Sequence, residues 1–269
     1  MVTDWLVVSS VSLAAVAVAM AATALVARRL GRVSVIDVTW GLGFVLVAVV
    51  SAAVGMALEA GQGWRDLIVV IVVSVWGGRL AWHIARRSRG HGEDPRYAEI
   101  LGVGVDDPGW TGRAVRKAFV PQALAIWLVS LPLQVSAVAE VRLGWAVWAG
   151  LLVWAGGLTF EAVGDAQLAA YRAQPRDSRP RVLETGLWGW TRHPNYFGDA
   201  CVWWGIWLLA GLASGWLPGL LTLAAPVVMT HVLRNVTGAR LLERTMSQRP
   251  GWEEYAARVP LFFPRPPRS

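Results

Sequence analysis

The sequence predicts an all-α, polytopic membrane protein, a bundle of about seven transmembrane helices. Only 16% of its 269 residues are charged, whereas a soluble domain carries about 25%. Apolar stretches of about 20 residues, the length that crosses a bilayer as a helix, recur along the chain. The basic residues are concentrated in alternate loops, as in membrane proteins of fixed orientation.

The predicted spans follow one another closely, at residues 5–27, 34–57, 66–86, 118–139, 143–163, 195–212 and 215–234. Asp4 is the only charged residue before Arg28. We therefore expect the first stretch to be a true span and not a cleaved signal peptide. The short connections predict a single membrane domain over residues 1–269, with a Pro- and Arg-rich disordered tail at 261–269.

The loops after the first, third, fifth and seventh spans carry the basic residues. Of the 25 Lys and Arg residues, only Arg65, Arg79 and Arg142 lie neither in these loops nor at the span ends that adjoin them. The positive-inside rule then predicts an N-terminus outside and a C-terminus in the cytoplasm. The charge therefore orients the chain and does not indicate a nucleic-acid partner. The single cysteine, Cys201, and the lack of a Cys/His cluster predict neither a disulfide nor a metal site.

Ionisable side chains inside the predicted spans are costly and therefore mark candidate functional positions. They are Asp37, Arg79, His83, Glu161, Asp199, His231 and Arg234, and Asp165 lies at the cytoplasmic end of the fifth span. Simpler structural roles remain open for several of them. Asp37 and Arg79 could form an ion pair, Arg79 and Arg234 could extend to the interface, and His231 could serve helix packing. Glu161 and Asp165, one turn apart, repel each other and need donors from elsewhere.

The segment 186–199 is the most informative part of the sequence. Thr191 or His193 is expected to cap a helix that has Pro194 in its first turn, where a missing N–H costs nothing. The start of that helix, with Arg192 and His193, would suit an anion such as a phosphate. Asn195 and Asp199 share a face of the same helix. Later in the chain, Glu243 is a candidate hydrogen-bond acceptor, and residues 238–264 could also form simple amphipathic surface helices.

The run Arg192-His193-Pro194-Asn195-Tyr196-Phe197-Gly198-Asp199 resembles a signature of sterol reductases, steroid 5α-reductases and isoprenylcysteine carboxyl methyltransferases. The whole chain resembles the bacterial DUF1295 branch of that superfamily, which is steroid 5α-reductase-like. The supporting segments are residues 37–41, 76–80, 94–97, 161–167 and 238–243. The resemblance covers the second to the seventh predicted span.

The resemblance implies a membrane-embedded, NADPH-dependent reductase of a C=C bond in a lipophilic enone, in the bacterial inner membrane with its active site facing the cytoplasm. It implies a substrate side in residues 1–140 and a cofactor-binding core in residues 141–260. The cofactor-binding residues by resemblance are Arg96, Glu161, Asp165, Arg192, His193, Asn195, Tyr196, Asp199, Arg234 and Glu243. Membrane lipids and a lipophilic small molecule are the expected partners, and the oligomeric state stays open.

Hydride transfer to the β-carbon of an enone requires an acid that polarises the carbonyl oxygen, in a dry pocket. Steroid 5α-reductases use a Glu and a Tyr from early spans, and this sequence shows no clear counterpart of that pair. The candidate catalytic residues are therefore Asp37, Arg79, His83 and Tyr196.

Two other functions compete with reduction. The first is an S-adenosylmethionine-dependent membrane methyltransferase, because Glu243, Tyr255 and residues 259–264 resemble the end of the isoprenylcysteine carboxyl methyltransferases. The second is a non-catalytic lipid-binding or transport protein, which the lack of an inverted repeat disfavours.

Overall fold

The computed structural model describes residues 1–175, 177–236 and 238–266, and these residues form helices and no strand. Six helical segments are long and apolar enough to cross a membrane: Val2–Leu30, Val33–Ala57, Gly63–Ser88, Gly144–Ala173, Pro194–Ser214 and Trp216–Met246. The predicted all-α, polytopic membrane fold is therefore confirmed. Arg176, one of the loop arginines, and the tail residues Pro267–Ser269 lie outside the described residues.

The helices are α1 (Val2–Leu30), α2 (Ile36–Ala57), α3 (Gly63–Ser88), α4 (Pro95–Leu101), α5 (Trp110–Ala114), α6 (Val120–Val129), α7 (Leu131–Ser136), α8 (Gly144–Ala173), α9 (Pro194–Ile206), α10 (Trp216–Thr222), α11 (Ala224–His231), α12 (Ala239–Met246) and α13 (Trp252–Arg258). Short 3-10 turns cover Val33–Val35, Gly186–Gly189 and Leu212–Ser214, and π-helical turns cover Val115–Phe119, Trp207–Gly211 and Val232–Val236.

The predicted fourth span, 118–139, is wrong as a single spanning helix. The helix there begins earlier, at Trp110, and stops at Ser130, after which α7 starts anew. Pro132 lies in the first turn of α7, and a proline cannot continue a preceding helix because it lacks an N–H and clashes with the previous turn. The predicted orientation places the two ends of the chain on opposite sides of the membrane, which requires an odd number of crossings. Residues 110–136 would therefore have to cross the membrane as well, and the orientation stays a prediction.

The first compact unit of the chain contains residues 1–144 and 210–222. Within it, α2 packs against both α1 and α3. The contact between α2 and α3 is closest at Gly41 and Gly77, where a Cβ atom added to Gly41 would lie 2.5 Å from the carbonyl oxygen of Gly77. Only glycine permits so close an approach of two helix backbones.

A buried arginine fastens residues 210–222 into this unit. Arg65 is fully buried, and its Nη1 donates to Ser214 Oγ at 3.0 Å. Its Nη2 donates to the carbonyl oxygens of Ser136 and Ala139. The sequence placed Arg65 in a short outer loop, but the structure uses it as a buried connection between three segments of the first unit.

The second compact unit contains the described residues of 145–209 and 223–269. Its longest helix, α8, continues to Ala173, well beyond the predicted end of the fifth span at residue 163. Glu161 and Asp165 therefore lie within the helix and not at its end. In the same unit α11 packs against α9, where Trp204 Nε1 donates to Thr230 Oγ1 at 3.1 Å.

Residues 259–265, called here the C-terminal strap, pack against the segment that precedes α9. Arg192 N donates to Pro260 O at 3.0 Å, and Arg265 N donates to Trp190 O at 2.9 Å. Phe262 is 2% exposed. The predicted disordered tail, 261–269, therefore needs correction over residues 261–266, because backbone hydrogen bonds and an aromatic anchor hold that segment in place.

Candidate functional site

A ladder of glycines brings α8 and α9 close together in the second unit. Gly150, Gly157 and Gly164 lie seven residues apart along α8. A Cβ atom on Gly157 would lie 2.7 Å from Gly198 O, and one on Gly150 would lie 2.6 Å from Gly205 O. Small residues on both helices let the backbones touch. The acidic residues of α8 are therefore held beside the first turns of α9.

The predicted polar residues of these two helices meet at this contact. Asn195 Nδ2 donates to Asp165 Oδ1 at 3.2 Å. Glu161 and Asp199 are both buried, and Gly198, next to Asp199, packs directly on the backbone of Glu161. The structure thus brings together the α8 acids and the α9 residues that the sequence singled out separately.

The Glu243 carboxylate binds the two basic residues that precede α9. Arg192 donates to its carboxylate through Nε at 2.6 Å and through Nη2 at 3.1 Å. His193 Nε2 lies 3.1 Å from the same carboxylate. Arg192 Nη1 also donates to the carbonyl oxygens of Ala256 and Val259, each at 2.7 Å. Arg192 and His193, predicted to hold phosphates, are thus engaged mainly in contacts within the protein.

The start of α9 differs from the predicted cap. The helix begins at Pro194, and His193 occupies the cap position without a side-chain cap hydrogen bond. The Thr191 hydroxyl donates instead to Phe262 O at 2.9 Å, and the His193 ring stacks on Tyr196 with centroids 5.7 Å apart. The strap and Glu243 thus provide partners for these two side chains outside α9.

An arginine-rich cavity in the second unit was not foreseen as a site. Its volume is ≈ 90 Å³, and it is lined by Leu168, Tyr171, Arg172, Arg179, Arg181, Val182, Leu183, Trp188, Arg192, Met246, Arg249, Trp252 and Tyr255. None of these described lining residues is acidic. The Arg179 guanidinium lies 5.2 Å from the centre of the Tyr171 ring. The sequence analysis used these arginines only to orient the chain, although their density in one loop was visible.

Two buried polar atoms of the second unit lie at the start of α9 and just after α11. Asn195 Oδ1 and Arg234 Nε are buried, and neither has a hydrogen-bond partner among the residues that the structure describes. A buried polar atom without a partner costs free energy, so native proteins rarely keep one without a reason. Asn195 Oδ1 is an acceptor and Arg234 Nε is a donor.

The first unit has a separate polar cluster around Asp37. Tyr97 Oη donates to Asp37 Oδ1 at 2.5 Å, and Arg96 Nη2 donates to Asp37 Oδ2 at 2.9 Å. Asp94 binds Arg96 through both carboxylate oxygens. Gln122 Nε2 donates to Tyr97 Oη at 3.0 Å. Arg96, predicted by resemblance to bind the cofactor, is thus engaged by two carboxylates in this cluster.

The electrostatics of α4 follow from these contacts. Burial raises the pKa of Asp94, but the hydrogen bonds and positive charge of Arg96 outweigh it and hold that pKa below its ordinary value. Burial lowers the pKa of the Arg96 guanidinium, but its two carboxylate partners raise it overall. Burial and the adjacent Asp37 carboxylate raise the pKa of the Tyr97 hydroxyl. Arg96 therefore stays charged and Tyr97 stays protonated.

Sequence reasoning missed Tyr97 and Gln122. Tyr97 lies in the segment 94–97 that supported the resemblance, yet only the structure shows that α4 brings it to Asp37. Of the other candidate catalytic residues, Arg79 and His83 lie one turn apart and half-buried on α3 in the first unit, and Tyr196 belongs to the second unit. Their catalytic roles stay predictions.

Comparison with known proteins gives two findings. A family model described as a protein of unknown function (DUF1295) matches residues 23–259. The uncharacterized protein C594.04c of Schizosaccharomyces pombe is 24% identical over 226 residues, which cover 75% of this chain and 64% of the relative. The chain thus spans slightly less than two thirds of that relative's length. No solved structure matches the chain.

Proposed function

The chain belongs to the DUF1295 family, and from that premise we propose that it is a membrane-embedded, NADPH-dependent reductase of a C=C bond in a lipophilic enone. The substrate would be steroid, terpenoid or lipid-like. In this proposal the protein lies in the bacterial plasma membrane with its active site facing the cytoplasm. Its partners are the lipophilic substrate and the surrounding membrane lipids.

The observation that carries the proposal is the arginine-lined cavity, whose ≈ 90 Å³ has room for a phosphate group of the cofactor and not for the whole molecule. Five arginines and no described acidic residue line it, and of these Arg192 is already paired with Glu243. The cavity also has aromatic lining from Trp188, Trp252, Tyr171 and Tyr255. Arginine binds phosphate oxygens through paired, charge-assisted hydrogen bonds. NADPH carries several phosphate charges, whereas S-adenosylmethionine carries a positively charged sulfonium, so the charge of this cavity favours NADPH.

The two open polar atoms also fit such a cofactor. A nicotinamide carboxamide offers the N–H that Asn195 Oδ1 lacks, and a phosphate oxygen offers the acceptor that Arg234 Nε lacks. The Asp165 carboxylate fixes the Asn195 amide through its Nδ2, so that Oδ1 is held in one orientation. When bound, the cofactor would supply a hydride.

The cluster of the first unit offers the acid that polarises a carbonyl oxygen. In this proposal Tyr97 and Asp37 take the part that a Tyr and a Glu play in the steroid 5α-reductases, with an Asp in place of the Glu. The Tyr97 hydroxyl is 2.5 Å from Asp37 Oδ1 and keeps its proton because of the raised pKa. In this proposal Tyr97 donates to the carbonyl oxygen, and Asp37 together with Arg96 orients it.

The cofactor assignment is tested by thermal shift of the full chain in detergent. We expect saturable stabilisation by NADPH, weaker stabilisation by NADH, and none by S-adenosylmethionine. Asp165→Ala and Asn195→Ala should each weaken NADPH binding by about tenfold, because each loses one hydrogen-bonding group of the site. Asp106→Ala, in an exposed loop of the first unit, is the matched control.

Stabilisation by S-adenosylmethionine without any response to NADPH would overturn the proposal in favour of a methyltransferase. The residues whose resemblance favours a methyltransferase make contacts within the protein. The Tyr255 hydroxyl donates to Trp188 O at 2.7 Å, and Val259 O accepts from Arg192. If NADPH binding survives unchanged in both variants, the cofactor lies elsewhere in the protein.

A further inference from the structure

Gln122 on α6 is the one neighbour of Tyr97 that donates to its hydroxyl oxygen in the described part of the chain. The amide Nε2 of Gln122 lies 3.0 Å from Tyr97 Oη. An amide nitrogen can only donate, so the hydroxyl must direct its own hydrogen elsewhere. That hydrogen goes to Asp37 Oδ1 at 2.5 Å. The hydrogen bonds therefore run in one direction, from Gln122 to Tyr97 to Asp37.

The charged groups around this hydroxyl are Asp37 and Arg96. Asp37 receives Arg96 Nη2 on its second oxygen at 2.9 Å, and the Arg96 guanidinium lies 5.7 Å from the centre of the Tyr97 ring. Asp37 opposes a negative charge on Tyr97, whereas Arg96 and the Gln122 N–H favour one. Gln122 is the uncharged member of this set, so its removal changes the hydrogen bond without changing the net charge.

We propose that Gln122 is a positioning residue that stabilises the Tyr97 phenolate formed when Tyr97 gives its proton to the carbonyl oxygen of the substrate. This inference rests on the proposed reductase function. A hydrogen bond donated to a charged oxygen is about twice as strong as one donated to a neutral oxygen. The Gln122 contact therefore strengthens at the moment of proton transfer, which is the condition for a rate effect.

In the proposed step the substrate gains a hydride at its β-carbon and a proton at its carbonyl oxygen. As the hydride bonds to the β-carbon, the electron pair of the C=C bond moves toward the carbonyl oxygen. The Tyr97 O–H bond breaks, its proton bonds to that oxygen, and the electron pair of the bond stays on Tyr97 Oη. The resulting enol tautomerises so that the α-carbon gains the proton, and a proton from water restores Tyr97.

The experiment measures the ionisation of Tyr97 directly and needs no substrate. The chain has four tyrosines, so replacement of all of them by 3,5-difluorotyrosine gives four fluorine NMR signals with more acidic phenols. Tyr97→Phe assigns the Tyr97 signal. We expect Gln122→Met to raise the Tyr97 titration midpoint by about one pH unit, a tenfold change in its ionisation constant. The other three signals should keep their midpoints.

Two further variants keep the result interpretable. Gln122→Glu retains the size of the side chain but adds a negative charge, so it should raise the midpoint further. Gln134→Met removes another buried glutamine of the first unit, which binds Trp127 O at 2.9 Å, and it should leave the Tyr97 midpoint unchanged. An unchanged midpoint in both Gln122 variants, or an equal shift in Gln134→Met, would overturn the inference.

A kinetic measurement separates this inference from the reductase proposal. With geranial as an enal probe and NADPH, Gln122→Met should lower kcat by about tenfold at constant KM, because the contact strengthens only during proton transfer. A Tyr97 midpoint that shifts as expected, without NADPH oxidation by the wild type on the enones tested, would overturn the reductase proposal and with it the catalytic role of Gln122, and would leave only the effect of Gln122 on the ionisation of Tyr97. A normal kcat in Gln122→Met would refute the role of Gln122 alone.

Discussion

At the scale of single residues, Glu243 shows how much one carboxylate organises. Its carboxylate binds the side chains of Arg192 and His193. Arg192 in turn donates to the strap carbonyl of Val259. The Arg192 and Glu243 side chains are 12% and 19% exposed, so neither charge is well solvated. Removal of one partner from a buried ion pair leaves the other charge uncompensated, which costs about 3 kcal/mol.

We therefore expect Glu243→Ala to lower the thermal midpoint of the protein clearly and to loosen residues 259–265. Limited proteolysis and thermal shift report these two effects. The control is Glu184→Ala, which removes an ion pair with Arg258 whose side chains are 46% and 67% exposed and should change little. Equal midpoints in the two variants would show that Glu243 has no special structural weight.

Asp94 predicts a pH dependence whose sign follows from its contacts. Its pKa in the folded protein lies below the ordinary value of 3.8, because Arg96 outweighs the effect of burial. A carboxyl with a lowered pKa stabilises the fold above its ordinary pKa, and this contribution is lost as the pH falls through the lowered value. The Asp94–Arg96 bonds should therefore contribute fully at neutral pH and fade only below about 4.

The measurement is the thermal midpoint of the wild type and of Asp94→Asn as the pH is lowered from neutral. The wild type should be the more stable at neutral pH, and the difference should shrink as the pH falls below the ordinary pKa of the carboxyl. Asp106→Asn, in an exposed loop, serves as the control. A difference that grows on acidification would contradict the assigned sign.

At the scale of helices, the contact between α8 and α9 depends on which glycines face the partner. Gly157 faces Gly198, whereas nothing lies within 4 Å of a Cβ atom on its neighbour Gly156. Gly157→Ala should push the helices apart and cost about 2 kcal/mol. It should also weaken NADPH binding, because Asp165 and Asn195 sit on these two helices.

Gly156→Ala is the matched control and should be neutral or slightly stabilising, since alanine favours a helix. Thermal shift with and without NADPH measures both effects. If the two alanine variants behave alike, the close approach of α8 and α9 does not support the site.

The helices also show where hydropathy succeeds and fails. Six of the seven predicted spans correspond to long apolar helices, because an apolar stretch of that length has few other solutions. Residues 118–139 are equally apolar, but hydropathy does not register the break at Ser130 or the start of the helix among charged residues at Trp110. Hydropathy also missed the extension of α8 to Ala173, because the residues that extend the helix are polar.

At the scale of the whole chain, the sequence indicated the class of fold and most residues of the α8–α9 site, since buried acids and a proline-started helix are visible in one dimension. It could not reveal partners that are far apart in the sequence. Tyr97 meets Asp37 across 60 positions, and Arg192 meets Glu243 across 51. Sequence reasoning missed the arginine cavity because the positive-inside rule already accounted for the arginines in the loops.

Arg65 has a consequence for the order in which the protein is made. Its buried guanidinium donates to Ser214 Oγ, and Arg142 N donates to Ala213 O at 2.8 Å. Residues 1–144 are therefore synthesised with a cation that still lacks one of its partners, because Ser214 follows α8 and α9 in the chain. The first unit of the fold cannot be finished first, and a nascent chain must hold this region partly assembled until residue 214 has been added.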